Sequence, residues 1–203
     1  GSEVRGESRL GILGTTARWL LPQVLTHLNQ PHPGVRITIH EGITTGLIPR
    51  LIAQQIDAAI VHLPVDDPEV TVETLFAEDL VLLVHGRHHL AVHETLPLAA
   101  LAGEPLLLPP LGTALRRVID RAAATVGVEL KAQVEIDGVR LLATMAFEGH
   151  GAAIVPATAV PRWLKGDFQR ITVPELPRRV VSWVQRRRPT PGPPTRALLA
   201  VVR

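Results

Sequence analysis

The segment from Arg9 to Val61 limits the possible fold of this chain more than any other. It holds three short apolar runs: Arg9-Leu-Gly-Ile-Leu-Gly14, Val35-Arg-Ile-Thr-Ile-His40 and Ile56-Asp-Ala-Ala-Ile-Val61. Two stretches of helical periodicity separate them. Strands that alternate with helices in this way pair in parallel, because each crossover must carry the chain back over a face of the sheet. The first helix runs from Ala17 to about Asn29, with Trp19 or Leu20, Val24 and Leu28 recurring at near-helical spacing. Thr15 or Thr16 suits its N-cap, and Pro22 is expected in or just past the first turn, where a missing N–H costs least. Pro31-His-Pro-Gly34 stops it. Gly46 to Gln55 reads as a second helix. Both strand-to-helix loops, Gly14-Thr15-Thr16 and Gly42-Ile43-Thr44-Thr45-Gly46, are small and hydroxyl-rich. In open α/β sheets ligands bind beyond the carboxyl ends of the strands, so these loops are expected to meet a small molecule.

The rest of the chain extends the pattern. Asp57 opens the third strand, where a backbone-capping carboxylate is preferred to a catalytic one. Val70 to Phe76 and Leu80 to Val84 are strand-like, and the polar run His85 to His93 suits a crossing between lobes. A second set of alternating elements follows. It comprises Pro105–Pro109 (strand), Ala114–Val126 (helix), Val128–Ile136 (strand), Val139–Glu148 (helix, ended by Gly149-His-Gly151) and Ala152–Val155 (strand). Phe168–Val173 and Arg179–Gln185 are further strands, and Thr195–Val202 is a short final helix. The expected fold class is α/β, with two Rossmann-like lobes joined by two crossover strands. Lobe I covers 9–84 and lobe II 85–185, with crossings at about 80–86 and 180–186. Residues 186–203 return to lobe I, and 1–8 are expected to be a tag or linker remnant.

Composition removes several function classes. The 203 residues are 46% hydrophobic, enough for a sizeable core, yet no apolar run approaches the roughly 20 residues that span a bilayer. The N-terminal residues hold no apolar stretch of the kind a secretory signal needs, so a cytoplasmic protein without membrane contact is expected. The absence of cysteine excludes disulfides, thiolate nucleophiles and thiol-based redox sensing within the chain. Net charge is +2, and the one basic cluster, Arg178, Arg179 and Arg186 to Arg188, has only Trp183 interleaved. It reads as a solvated, proline-flanked strand end rather than a nucleic-acid surface. His85, His88, His89 and His93 invite a metal, but no acidic ligand stands at a fixed spacing, so neither a metal nor a cofactor is expected. No Gly-x-Ser-x-Gly, P-loop or His-Glu-x-x-His occurs, and Ser2, Ser8 and Ser182 are the only serines, so the chain is not read as an enzyme.

With those residues in order, the chain resembles the effector-binding domain of LysR-type transcriptional regulators. The opening strand and Leu20-Leu-Pro22, the stretch Pro33-Gly-Val35 with Ile37-Thr-Ile-His-Glu-Gly42, and Leu51 to Ile60 follow the family pattern. So do His88 to Ala91 and Gly149 to Pro156, over roughly Arg9 to Arg203. Gln54 stands where the family usually has glycine, and His89 where it usually has proline. The resemblance implies a fold like type II periplasmic binding proteins, with an effector held in the interlobe cleft. It implies Thr15, Thr16, Thr44 and Thr45 on one wall, Leu111, Gly112, Thr113, Gly138, Val139 and Arg140 on the other, and His62 and Pro64 near the crossing. Exposed N–H groups and hydroxyls suit a small anion. Self-association as a dimer (a tetramer in the parent protein) is also implied. Contact with DNA would come only through an N-terminal domain outside this chain. The alternative is a solute-binding protein of a transport system, with its signal peptide trimmed.

Overall fold

A computed structural model describes residues 2–203. The chain forms two compact units, one of residues up to Ala77 together with Arg179–Arg203, the other of Glu78–Arg178. In the first unit the order is β1 (Arg5–Ile12), α1 (Gly14–Asn29), β2 (Gly34–Glu41), α2 (Thr44–Ile52), β3 (Ala58–His62) and β4 (Val70–Glu78). β10 (Arg179–Arg186) and α5 (Pro193–Val202) complete it. β1 pairs in parallel with β2 and β3, β10 runs antiparallel to β3, and the sheet order is β2-β1-β3-β10-β4. The predicted βαβαβ core is therefore present. One face packs Leu10, Ile12, Val24, Leu28 and Trp183 with α5 residues Leu198 and Leu199. The other packs Leu47, Leu51, Ile56 and Val61.

The second unit repeats the plan. It contains β5 (Leu80–His85), β6 (Pro105–Leu108), α3 (Ala114–Thr125), β7 (Lys131–Glu135), α4 (Val139–Phe147), β8 (Ala152–Pro156) and β9 (Phe168–Thr172). Its sheet order is β7-β6-β8-β5-β9, with β6 parallel to β7 and β8, and β5 antiparallel to β8 and β9. Each sheet has a parallel trio extended by two further strands, so both units are Rossmann-like.

Several boundaries differ from the sequence reading. β1 begins at Arg5 and pairs from there with Gly34, so residues 5–8 are sheet rather than linker, and Ser8 is fully buried. β5 lies inside the second sheet and β10 inside the first, where apolar residues are covered on both faces, so neither strand is a bare crossing. The units divide earlier than expected, at 77/78 and 178/179. Pro22 is in the middle of α1, where it removes the N–H that would bond the carbonyl of Arg18. α2 stops at Ile52, and Gln54 takes a left-handed φ of 61°. That conformation is the physical reason a glycine suits the position.

The expected solvated arginine cluster is also corrected. Arg179 and Arg186 are buried, and Nη1 of Arg186 donates to the carbonyls of Leu51 and Ile56, each at 2.7 Å. Nη1 carries two N–H donors, so this one nitrogen serves both carbonyls.

Candidate functional site

The strand ends of the first unit gather half of the predicted residues. Ile12 is in register with both Glu41 and Ile60, so β1, β2 and β3 finish along one edge. α1 starts there at Gly14 and α2 at Thr44. The residues preceding them, Leu13 and Ile43, provide no side-chain cap, and neither first turn contains an acid. Thr15 and Thr16 are therefore not the N-cap of α1, as the sequence suggested, but residues of its first turn. Both are buried, and the Thr16 hydroxyl is enclosed with no hydrogen-bond partner. First-turn N–H groups have no intrahelical acceptor, and the helix dipole adds positive potential, so such ends attract anions.

Thr44 and His62 meet directly. The Thr44 hydroxyl donates to the His62 carbonyl at 2.8 Å, which commits its proton to the backbone. Thr45, one residue on, is exposed. Nη1 of Arg179 donates to Nδ1 of His62 at 3.0 Å, and both side chains are buried. Arginine has no acceptor, so Nδ1 must carry the lone pair and the neutral ring holds its hydrogen on Nε2. Pro64 is exposed beyond the end of β3.

Sequence reasoning missed two residues here. Arg179 stands in an arginine cluster that looks solvated in the sequence. Glu41 was read only as a family pattern, yet its carboxylate lies so close over Gly14 that any Cβ there would collide with it. The glycine opening α1 was the available signal.

Asp57 is structural. It accepts from the Arg9 backbone N–H at 2.7 Å and from Nη2 of Arg9 at 3.0 Å, and Arg186 lies 4.0 Å away. Burial pushes its carboxyl up, but the bonds from Arg9 and the charges of Arg9 and Arg186 outweigh this and hold it below the usual carboxylate value.

In the second unit Thr113 is the N-cap of α3. Its hydroxyl accepts from the Arg116 N–H at 3.3 Å and donates to the Pro110 carbonyl at 2.8 Å. That proton, too, is committed. Gly112 makes the turn with φ +89°, Leu111 before it is exposed, and Gly138 leads into α4 with φ +130°. Val139 and Arg140 occupy the first turn of α4, with Arg140 exposed.

The sequence places no acid at a fixed spacing from the His85–His93 histidines. The fold supplies one, since Glu104 lies against both His88 and His89.

A family model described as the LysR substrate binding domain matches residues 1–203. The chain belongs to this family. Among curated relatives, this LysR domain is 31% identical over 201 residues to the DNA-binding transcriptional dual regulator OxyR of Escherichia coli (strain K12). The match covers 97% of the chain and 64% of that relative, so the chain spans a little under two thirds of its length. Among solved structures it is similar to the effector binding domain of QuiR in complex with shikimate. There the TM-score is 0.85 at 18% identity, with 98% of this chain and 96% of that one covered. It is also similar to the BenM effector binding domain with its effector benzoate, with a TM-score of 0.81 at 22% identity and coverage of 99% and 91%. These likenesses identify the fold as the two-lobe LysR type. No helix among the described residues is long and apolar enough to cross a membrane.

Proposed function

We propose that this LysR domain binds a small carboxylate at the strand ends of its first unit and acts as the sensing part of a transcription regulator. The observation that carries this reading is the pair of uncapped helix N-termini, α1 and α2, rising from adjacent strands. Glu41 adds negative charge beside α1, which leaves the α2 end as the stronger attractor for an anion. The hydroxyls that can donate are then Thr15, Thr16 and Thr45, because Thr44 already donates to His62. His62 acts by holding Thr44 and the start of α2 in position. Within the second unit the corresponding candidates are Leu111 and Gly112 before α3, and Gly138, Val139 and Arg140 at the start of α4.

The neighbours named with benzoate and shikimate support the ligand class. A peroxide response, as several relatives are named for, is not carried over. The chain has no cysteine, so the thiol oxidation ladder has no starting point within it. DNA contact is proposed only for the longer protein, through a part outside this chain, and self-association is proposed for the regulator as a whole.

The test is thermal melting against benzoate, shikimate and related acids, repeated on Thr16→Val. A ligand that binds only the native state raises Tm by mass action. Thr16→Val removes a buried hydroxyl that has no partner, so the ligand-free variant should be more stable by about 1 kcal/mol, while the ligand-induced shift falls. An undiminished shift in Thr16→Val would move the ligand away from α1.

A further inference from the structure

We propose that His88, His89 and Glu104 form a binding site for a borderline divalent cation such as Zn2+. Nε2 of His89 lies 2.9 Å from Oε1 of Glu104, and Nε2 of His88 lies 3.3 Å from the same oxygen. One ligand atom from each residue falls within a group no wider than 4.8 Å. Zn2+ with bonds of about 2.0–2.2 Å holds tetrahedral ligand atoms roughly 3.3–3.6 Å apart, so small side-chain shifts seat an ion among them. The two imidazoles stack with centroids 4.6 Å apart and 25° between planes, which turns both Nε2 atoms toward one carboxylate. Two imidazoles and a carboxylate are a donor set that suits zinc or nickel better than magnesium or calcium.

The three ligands are not equivalent. Nδ1 of His88 accepts from the Leu90 N–H at 3.1 Å, so its neutral ring keeps the hydrogen on Nε2. Coordination by His88 requires that proton to leave and the Leu90 bond to yield. His89 and Glu104 are therefore the anchoring pair and His88 the third ligand. Glu104 is largely buried and His89 is 67% exposed, so one side of the ion is held by the fold and the other stays open to water. His89 is also the residue that departs from the usual LysR proline, and this departure supplies the second imidazole. A bound ion would tie the 3-10 turn His89–Val92 to the residue preceding β6.

The experiment titrates Zn2+ into the protein in competition with a chromophoric chelator, using wild type, His89→Ala, Glu104→Gln and the control His150→Ala. His150 is an exposed histidine paired with Glu148 elsewhere in the second unit. The expected result is one Zn2+ per chain, weakened tenfold or more by His89→Ala and by Glu104→Gln and unchanged by His150→Ala. Circular dichroism and a thermal melt of each ligand-free variant check that it is folded. His89 is exposed and Glu104→Gln keeps the side-chain shape, so both should be. No stoichiometric binding by wild type, or equal binding by all four proteins, overturns the site and leaves the cluster as a hydrogen-bonded clasp.

Discussion

Nη1 of Arg179 donates to Nδ1 of His62 across 3.0 Å, joining the first residue of β10 to the last of β3 with both side chains buried. Because the Thr44 hydroxyl donates to the carbonyl of the same histidine, this pair also fixes where α2 begins. Arg179→Ala leaves a buried ring nitrogen without its donor, which costs about 1–3 kcal/mol. Urea denaturation reads this directly, and unchanged stability would show that the bond is replaced by water.

Glu41 presses on Gly14 at the start of α1. Glu41→Gln keeps the shape and removes the charge. On the proposed function, binding of a carboxylate such as benzoate should tighten by a few-fold, in line with about 1 kcal/mol for two charges about 4 Å apart in water, since Glu41 is exposed. Calorimetric titration of both proteins with benzoate checks it. Weaker binding by the variant would mean that Glu41 holds the effector or its own loop in place.

Asp57 links folding to acid. Its folded-state pKa lies below the ordinary value of 3.8, so its contribution is whole above that pH and fades as pH falls below 3.8 and through the folded value. Asp57→Asn should lose about 1–3 kcal/mol at neutral pH, and the gap to wild type should narrow in acid. Denaturation midpoints at pH 7 and pH 3 compare the two. A gap that stays constant with pH would assign the loss to shape rather than charge.

Gln54 sits at φ 61° just beyond the end of α2. Gln54→Gly relieves the left-handed strain but adds freedom to the unfolded chain. The balance should favour the variant by up to about 1 kcal/mol. A lower melting temperature for Gln54→Gly would show that the glutamine side chain contributes more than its backbone costs.

The sequence alone determined the order and type of the elements. Apolar residues recur every second residue in strands such as Val35, Ile37 and Ile39, and at helical spacing in α1, whatever the tertiary context. The helix end at Gly149 was legible for a related reason, because a positive φ selects glycine locally. It also placed Thr15, Thr16, Thr44 and Thr45 at helix N-termini, since strand-to-helix loops carry that chemistry in their own residues.

Only the tertiary structure decided which polar groups are already engaged. Thr44 and Thr113 look alike as free hydroxyls in the sequence, but each has its proton committed, to His62 and to Pro110. Arg179 and Arg186 look solvated among neighbouring arginines, yet β10 enters the first sheet between β3 and β4 and buries both. Glu104 lies fifteen residues from His89 and meets it only after the intervening 3-10 turns fold back. Partners this distant have no local period to betray them. They are fixed by strand pairing and by burial, where an unpaired polar group is too costly to leave.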